Sequence, residues 1–234
     1  FVLGVEIING RGEALRFGGS VMKNVAGYDV SRLMAGAWGT LGVLLNVTLK
    51  VLPRAAATLT LRHETSAADA IDRMNTWAGQ PLPISATAFD GKALCTRLEG
   101  TETALRAARL KLGGEFEARE DYWFAVREHT HDFFHDPRPL WRLALPPACP
   151  PLALDGKFFI EWNGALRWLY SNEAPEKIRA AVQHSGGHAT LFRSEQRDQV
   201  FHPLAAPLTQ LHRNLKAAFD PHGIFNPGRM YAEF

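Results

Sequence analysis

The sequence predicts an α+β fold, with strands and helices in irregular succession rather than in strict alternation. The stretch before Pro53 consists mainly of apolar, β-rich runs and contains one short helical segment. From Thr58 onward, strands and amphipathic helices follow one another in the order β-α-β-β-α-β, which is the ferredoxin-like pattern. A second set of similar order follows the first, and a degenerate internal duplication would explain it.

Three β-rich runs and one short helix are predicted before Pro53. Asn9-Gly10 separates the first two runs and indicates a hairpin. Asp29 or Ser31 can cap the helix. The third run alternates and predicts a strand with one dry face and one mixed face, which Pro53 ends. The predicted elements are the strands Val2–Ile8, Ala14–Phe17 and Val43–Leu52 and the helix Val30–Met34.

The two sets that follow are bounded by turn and cap residues. Ser66 and Thr101 can cap helices, and Asp90-Gly91 and Asn163-Gly164 are hairpin turns. A loop at Pro146–Gly156 would replace the first helix of the second set. The first set comprises Thr58–Arg62 (strand), Ala67–Trp77 (helix), Ile84–Phe89 and Ala93–Leu98 (strands), Thr101–Leu112 (helix) and Glu115–Ala118 (strand). The second comprises Tyr122–Phe134 (helix), Leu140–Leu145, Phe158–Trp162 and Leu166–Tyr170 (strands), Pro175–Gln183 (helix) and His188–Phe192 (strand), with a last helix at Ala206–Phe219.

Composition narrows the classes of function. The chain has 234 residues, 46% hydrophobic and 21% charged, with a net charge of +2, so it suits a soluble globular protein and gives nucleic-acid binding no support. The two cysteines, Cys95 and Cys149, cannot build a disulfide framework and indicate a reducing, cytoplasmic compartment. No apolar run reaches membrane-spanning length. The chain opens inside a strand without an initiator Met, so we expect a piece of a longer protein, truncated at its N-terminus.

One stretch concentrates glycines at a spacing of three residues: Gly36-Ala-Trp-Gly39-Thr-Leu-Gly42. Glycine at this density indicates a close approach of the backbone, either to a ligand or to another part of the chain. It is not a phosphate-binding Walker loop, because no Gly-Lys-Ser/Thr follows. It is not a dinucleotide fingerprint either, because the order here is helix, glycines, strand. On the residues alone, ligand contact and packing remain equally good interpretations.

The motifs resemble those of FAD-linked oxidases of the vanillyl-alcohol-oxidase (PCMH) type. Gly27-Tyr28-Asp29, the glycine stretch through Val43, and a strand ending in Pro53 resemble the end of the FAD-binding domain of that family. Asp220-Pro-His-Gly-Ile-Phe-Asn-Pro-Gly-Arg229 resembles the C-terminal signature of the family. Lys23-Asn-Val-Ala-Gly-Tyr-Asp29, with Ala37-Trp38 where the family has Ser-Glu, is similar to the FAD-binding E subunits of bacterial glycolate oxidases.

The resemblance implies a domain organisation and a cofactor site. Residues 1–54 would form the second subdomain of a PCMH-type FAD-binding domain, and residues 55–234 an α+β cap domain whose C-terminal tail returns to the flavin. The subdomain that holds the FAD pyrophosphate would lie upstream, so we expect this stretch alone to hold FAD weakly or not at all. Ala37 and Trp38 lack the hydroxyl and the carboxylate that the family has at these two positions, so the polar side-chain contacts of those groups with the cofactor are not expected here. The implied cofactor-binding residues are Gly36, Ala37, Trp38, Gly39, Thr40, Gly42, Val43 and Asn226.

The resemblance also implies an activity and partners. The protein would be an FAD-dependent oxidoreductase subunit acting on the CH–OH group of 2-hydroxy acids. It would work with a second flavin subunit and an iron–sulfur subunit, in the cytoplasm or at the inner membrane through those partners, and the stretch alone would be inactive. Two alternatives stay open: a flavin-free interaction subunit, or another FAD-linked oxidase such as a D-lactate dehydrogenase. No catalytic residue is assigned. The histidine cluster His129, His131 and His135 fits a solvated helix end better than a metal site, so no metal is expected.

Overall fold

The computed structural model describes residues 1–19, 29–117, 119–196 and 198–234. The motif residues Lys23 to Tyr28 and the end of the predicted strand Glu115–Ala118 lie outside the described residues. The chain divides into two compact units, Phe1–Pro53 with Pro203–Phe234, and Arg54–His202. Residues 203–234, which the sequence analysis assigned to the cap domain, therefore belong to the first unit. Helices and strands mix as expected, and the predicted α+β class is confirmed.

Most element boundaries agree with the predicted ones within one or two residues. The strands are β1 (Val2–Ile8), β2 (Ala14–Gly18), β3 (Val43–Leu49), β4 (Ala57–Glu64), β5 (Ile84–Phe89), β6 (Ala93–Gly100), β7 (Glu115–Phe116), β8 (Leu140–Ala144), β9 (Lys157–Glu161), β10 (Leu166–Tyr170) and β11 (His188–Arg193). The helices are α1 (Val30–Met34), α2 (Ala67–Ala78), α3 (Glu102–Leu112), α4 (Tyr122–Glu128), α5 (Pro175–His184) and α6 (Ala206–Phe219).

The first unit is a three-stranded antiparallel sheet in the order β2-β1-β3, with α1 and α6. Asn9 fixes the turn between β1 and β2, because its buried side-chain Oδ1 accepts from the backbone N–H of Arg11 (2.9 Å) and of Glu13 (3.0 Å). The Asp29 carboxylate caps α1 by accepting from the Arg32 N–H (3.0 Å), as predicted. The core of this unit comprises Val5, Ile7, Met34 and Leu41, with Phe17 and Phe219 packed against it.

The predicted dry face of the third strand is wrong. Every residue of β3 is exposed, including Val43 (48%), Leu45 (47%) and Val47 (46%), and the strand ends at Leu49 rather than at Leu52. β3 is an edge strand that pairs with β1 on one side, and no residue of β3 enters a core cluster within the described part of the chain. Alternation in the sequence therefore indicated a strand correctly, but it did not reveal what would cover its apolar side chains.

The second unit is one eight-stranded antiparallel sheet in the order β11-β8-β10-β9-β5-β6-β4-β7. Each half repeats the same arrangement: within each set of four strands the spatial order is fourth, first, third, second, which is the ferredoxin-like order. The two halves join where β5 pairs with β9. The predicted duplicated pattern is confirmed. Helices α2 and α3 pack against the strands of the first half, and α5 packs against the strands of the second.

The helix predicted at Tyr122–Phe134 is shorter than expected. It ends at Glu128, because His129 adopts a left-handed backbone (φ 57°, ψ 34°) that a helix cannot continue through. A 3₁₀ turn follows at Asp132–His135, and His131 caps it by accepting from the Phe133 N–H at Nδ1 (3.2 Å). The solvated helix end expected for the histidine cluster is therefore wrong for His131, which is buried and lies beyond the end of the helix.

A buried arginine holds the loop that replaces the first helix of the second set. Arg167 on β10 is 1% exposed. Its guanidinium donates to the backbone carbonyls of Gly164 (3.1 Å), Pro150 (2.8 Å) and Cys149. Burial lowers the pKa of Arg167 because no carboxylate offsets the desolvation of the charge. The loop thus gains order from two charge-assisted hydrogen bonds, at Cys149 and Pro150, and the third ties it to Gly164 in the turn between β9 and β10.

Replacing Arg167 by Met should lower the free energy of unfolding by about 2–4 kcal/mol, because three backbone carbonyls lose their charged donor and two of these hydrogen bonds are buried. Urea denaturation of the variant and of the parent chain measures the difference. Arg106→Met, on the exposed side of α3, is the control and should change stability by less than about 0.5 kcal/mol. Equal losses in the two variants would contradict the role assigned to Arg167.

Candidate functional site

The three glycines of the motif, Gly36, Gly39 and Gly42, differ in what surrounds them. A Cβ on Gly42 would lie 2.7 Å from the backbone oxygen of Ile8, so this glycine permits tight packing against β1. A Cβ on Gly39 would lie 2.8 Å from the Asn226 side-chain nitrogen, and Gly39 also has a left-handed φ of 69°. Gly36 has a φ of 90° with nothing within 4 Å of its Cβ position. Packing within the chain therefore explains Gly42, whereas Gly36 opens onto free space.

Two non-glycine residues share the left-handed backbone at this place. Trp38 has φ 52° and Asn226 has φ 42°. The Asn226 side-chain amide donates to the Trp38 carbonyl (3.0 Å), and the Arg229 guanidinium lies 5.8 Å from the centre of the Trp38 ring. A left-handed backbone is a genuine outlier for a residue as bulky as Trp, and such conformations cluster at functional sites. The glycine motif and the C-terminal motif therefore contact each other through Trp38 and Asn226, whose left-handed backbone the surrounding structure maintains.

A buried lysine connects the segments behind this contact. Lys216 on α6 donates from Nζ to the Thr40 carbonyl (2.9 Å), to Asp220 Oδ2 (2.7 Å) and to the Phe225 carbonyl (2.5 Å). Both members of the ion pair are buried. The Asp220 carboxylate also accepts from the N–H groups of Ile224 (3.0 Å) and Phe225 (2.8 Å). One ammonium group thus ties the glycine motif to α6 and to the loop that carries Asn226.

The electrostatics of Asp220 follow from these contacts. Burial alone would raise the pKa of Asp220, but the hydrogen bonds from Lys216 and from the two backbone amides outweigh it, so the pKa is lowered. The sequence analysis did not single out Lys216 or Asp220 as a pair. Their spacing of four residues at the end of a helix, immediately before the C-terminal signature, was the available signal.

The remaining residues of the motif have varied surroundings. Ala37 packs against the core of the first unit. Thr40 is buried, and its hydroxyl donates to the Ala37 carbonyl (2.7 Å), so its polar groups serve the fold internally. Val43 is exposed at the start of β3. Gly36 and Gly39 are exposed residues, and their backbone N–H groups donate to no acceptor in the described part of the chain.

The histidine cluster forms no metal centre. His129 stacks on Phe134 (ring centroids 4.0 Å apart) and meets the edge of Trp168 (4.6 Å), so it belongs to an aromatic cluster. Burial lowers the pKa of His129 and of His131, in each case aided by a nearby arginine. Across residues 1–19, 29–117, 119–196 and 198–234, no group of three His, Cys, Asp or Glu side chains could hold a metal ion.

Comparison with known proteins supplies the family. Glycolate oxidase subunit GlcE of Escherichia coli (strain K12) is 51% identical over 233 residues, which cover 100% of this chain and 66% of that relative. Residues 195–230 match the family model of the C-terminal domain of FAD linked oxidases. The chain belongs to the FAD-linked oxidases. It spans just under two thirds of the length of this relative.

The fold of this FAD-linked oxidase chain also matches solved structures. p-Cresol methylhydroxylase with bound substrate has a TM-score of 0.62 at 14% identity, over 98% of this chain and 64% of that one. The isoeugenol complex of 4-ethylphenol oxidase from Gulosibacter chungangensis has a TM-score of 0.57 at 14% identity, over 99% and 66%. At this identity the likeness establishes the fold alone, and it agrees with the predicted PCMH-type architecture. Within the described residues, no helix is both long enough and apolar enough to cross a bilayer.

The geometry of the glycine motif fits an FAD site. A flavin or a pyrophosphate needs backbone N–H donors that a ligand can approach closely. Gly36 and Gly39 are exposed residues in left-handed backbone whose N–H groups have no acceptor in the described part of the chain, and the Cβ position of Gly36 has nothing within 4 Å. Thr40 and Gly42 are instead engaged with the protein itself. The residues that fit the cofactor are therefore Gly36, Trp38, Gly39 and Asn226, a subset of those that the motif implied.

Replacing Asp220 by Asn should lower the free energy of unfolding by about 3 kcal/mol at pH 7, because Lys216 stays buried without its counter-charge. The pKa of Asp220 is lowered by folding, so its charge stabilises the fold fully above the unfolded pKa of about 3.9 and progressively less as the pH falls through the folded pKa. The difference between parent and variant should therefore shrink below about pH 4.

Urea denaturation at pH 7 and at pH 3 measures this difference. Asp72→Asn, on the exposed surface of α2, provides the control and should have a small effect at both pH values. A loss in Asp220→Asn that is equal at the two pH values would show that the charge of Asp220 is not what stabilises this site.

Proposed function

We propose that this chain is the FAD-binding part of a subunit of a 2-hydroxy acid oxidase complex, with glycolate as the substrate. In the complex, FAD supplies a two-electron acceptor for the oxidation of the CH–OH group. The partners are a second flavin subunit and an iron–sulfur subunit, and the complex works in the cytoplasm or at the inner membrane through those partners. The protein contributes binding, orientation and electrostatics to this chemistry.

The observation that supports this proposal most strongly is the 51% identity to the Escherichia coli glycolate oxidase subunit over the whole of this chain. Both motifs that form the candidate site lie inside that aligned stretch. The geometry agrees with the proposal, because the exposed amides of Gly36 and Gly39 lie next to the contact between Trp38 and Asn226. These groups would bind and orient the flavin, and Lys216 would act from behind as a positioning residue.

A second candidate function is an interaction subunit that holds the complex together without flavin of its own. The exposed apolar side chains of β3 favour it, because Val43, Leu45 and Leu49 form a surface suited to another protein surface. The described residues also contain no metal-binding histidine cluster that would mark a catalytic centre. The two candidates differ in one measurable property, which is bound flavin.

The full-length subunit, expressed without the second flavin subunit, should show flavin absorption bands, and Asn226→Ala should weaken FAD binding by several-fold to about 10-fold, because the bond that holds Trp38 is lost. The FAD titration is followed by flavin fluorescence. Asn214→Ala, on the exposed surface of α6, is the control and should bind FAD like the parent. The expectation that residues 1–234 alone hold FAD weakly stays a prediction, and the same titration of that stretch tests it.

Turnover assays separate the remaining possibilities. A kcat/KM of the complex that is higher for glycolate than for D-lactate would support the proposal. If this subunit shows no flavin bands after excess FAD is supplied, the interaction role replaces the FAD-binding one. A higher kcat/KM with D-lactate would instead identify a different oxidase of the same family.

A further inference from the structure

Strand β11 lies at one edge of the eight-stranded sheet and pairs with β8 on one side. An edge strand presents backbone N–H and C=O groups along its other side, and another strand can pair with them. Residues 199–202, which we call the strap, run beside that edge of β11 and bond to it. His202 is the last residue of the second unit, and the chain continues from Pro203 towards α6.

Two N–H groups of β11 hold the strap. The Leu191 N–H donates to the Val200 carbonyl (2.8 Å), as it would to a neighbouring strand. The Ala189 N–H donates to Nδ1 of the His202 ring (3.3 Å). At this second position a side chain takes the place that a backbone carbonyl would have in a paired strand.

A buried arginine holds the beginning of the strap. Arg179 on α5 is 7% exposed, and its guanidinium donates to the Gln199 carbonyl. The same guanidinium lies 5.4 Å from the centre of the Trp141 ring. Because an arginine side chain stays protonated in proteins, this anchor does not depend on pH.

The anchor at His202 does depend on pH. A ring nitrogen of histidine accepts a hydrogen bond only while it carries no proton, and both ring nitrogens of the protonated form are donors. The N–H of Ala189 would then face an N–H group of the ring instead of a lone pair. Ala189 is fully buried, so the loss of its acceptor costs free energy as long as the strap stays in place.

The surroundings of His202 oppose its protonation. Burial lowers the pKa of His202, and repulsion from His188 on β11 and from Arg179 on α5 lowers it further. Glu176 on α5 offsets part of the Arg179 charge, and Arg142 on β8 repels a proton on His188. The stabilisation from the neutral ring is therefore fully present above the unfolded pKa of about 6.5. It is lost as the pH falls through the lowered pKa of the folded state.

We infer that the strap is a pH-sensitive latch, which is closed on β11 while the His202 ring is neutral and is released when the ring takes up a proton. Since Arg179 still holds Gln199, the strap opens from His202, where the chain leaves the second unit. Opening uncovers the edge of β11 for water or for another strand. The inference goes beyond the proposed function, because it does not depend on bound flavin.

Amide hydrogen exchange of the full-length subunit at about pH 7.5 and about pH 5 tests the latch. Protection factors, which correct for the effect of pH on the intrinsic exchange rate, are compared for Ala189 and for the amides of β10 in the interior of the sheet. The Ala189 protection factor should fall at least about 10-fold at the lower pH, because its hydrogen bond is lost. Those of β10 should stay within about 3-fold, because the sheet itself remains folded.

Two variants of His202 separate the hydrogen bond from other effects of acid. In His202→Asn the side-chain oxygen can accept from the Ala189 N–H at both pH values, so protection should persist at about pH 5. His202→Leu has no acceptor and should give low protection of Ala189 at both pH values. The matched control is His184→Asn at the exposed end of α5, which should behave like the parent.

Three results would overturn the latch. The first is a protection factor of Ala189 in the parent that does not change between the two pH values. The second is a loss of protection in His202→Asn as large as that in the parent. The third is an equal loss in the amides of β10, which would show that acid unfolds the whole sheet rather than the strap.

Discussion

The first unit depends on one buried ammonium group. Lys216 Nζ reaches three acceptors: the Thr40 carbonyl, which is far away in sequence, and the Asp220 carboxylate and the Phe225 carbonyl, which follow α6 directly. A buried charge is costly unless it is paired and hydrogen-bonded, so the segments must keep these positions for the charge to be tolerated. The ion pair therefore specifies a geometry as much as it adds stability. The turn of β1 and β2 is held to it as well, since the Gly10 N–H donates to the Phe219 carbonyl (2.8 Å).

That geometry explains why unusual backbone persists at the candidate flavin site. Trp38 and Asn226 are both left-handed, and such conformations cost free energy that the surroundings must offset. The Lys216 contacts fix the chain on both sides of the pair, and the lack of a Cβ at Gly39 leaves room for the Asn226 side chain. Gly36 keeps an open surface beside them. Within the same stretch, Gly42 permits close packing against β1, whereas Gly36 leaves space that a ligand could enter. The sequence alone therefore could not decide between packing and ligand contact.

The sequence predicted those parts of the fold that local rules control. Cap residues and turn pairs located most elements, and the repeated order of strands and helices predicted two ferredoxin-like halves, although not that they join into one sheet. It failed where a distant part of the structure decides. The exposure of β3 depends on what packs against it. The early end of α4 depends on the left-handed backbone of His129, whose ring packs against the distant residues Trp168 and Phe192.

The central claim is that the glycine motif and the C-terminal motif form one surface that contacts FAD. Amide hydrogen exchange of the protein in its complex, with and without FAD, tests it most directly. The account predicts that the amides of 36–42 and of 224–229 both exchange more slowly, by at least about 10-fold, when FAD is bound. Slower exchange in only one of the two segments, or in neither, would contradict the account.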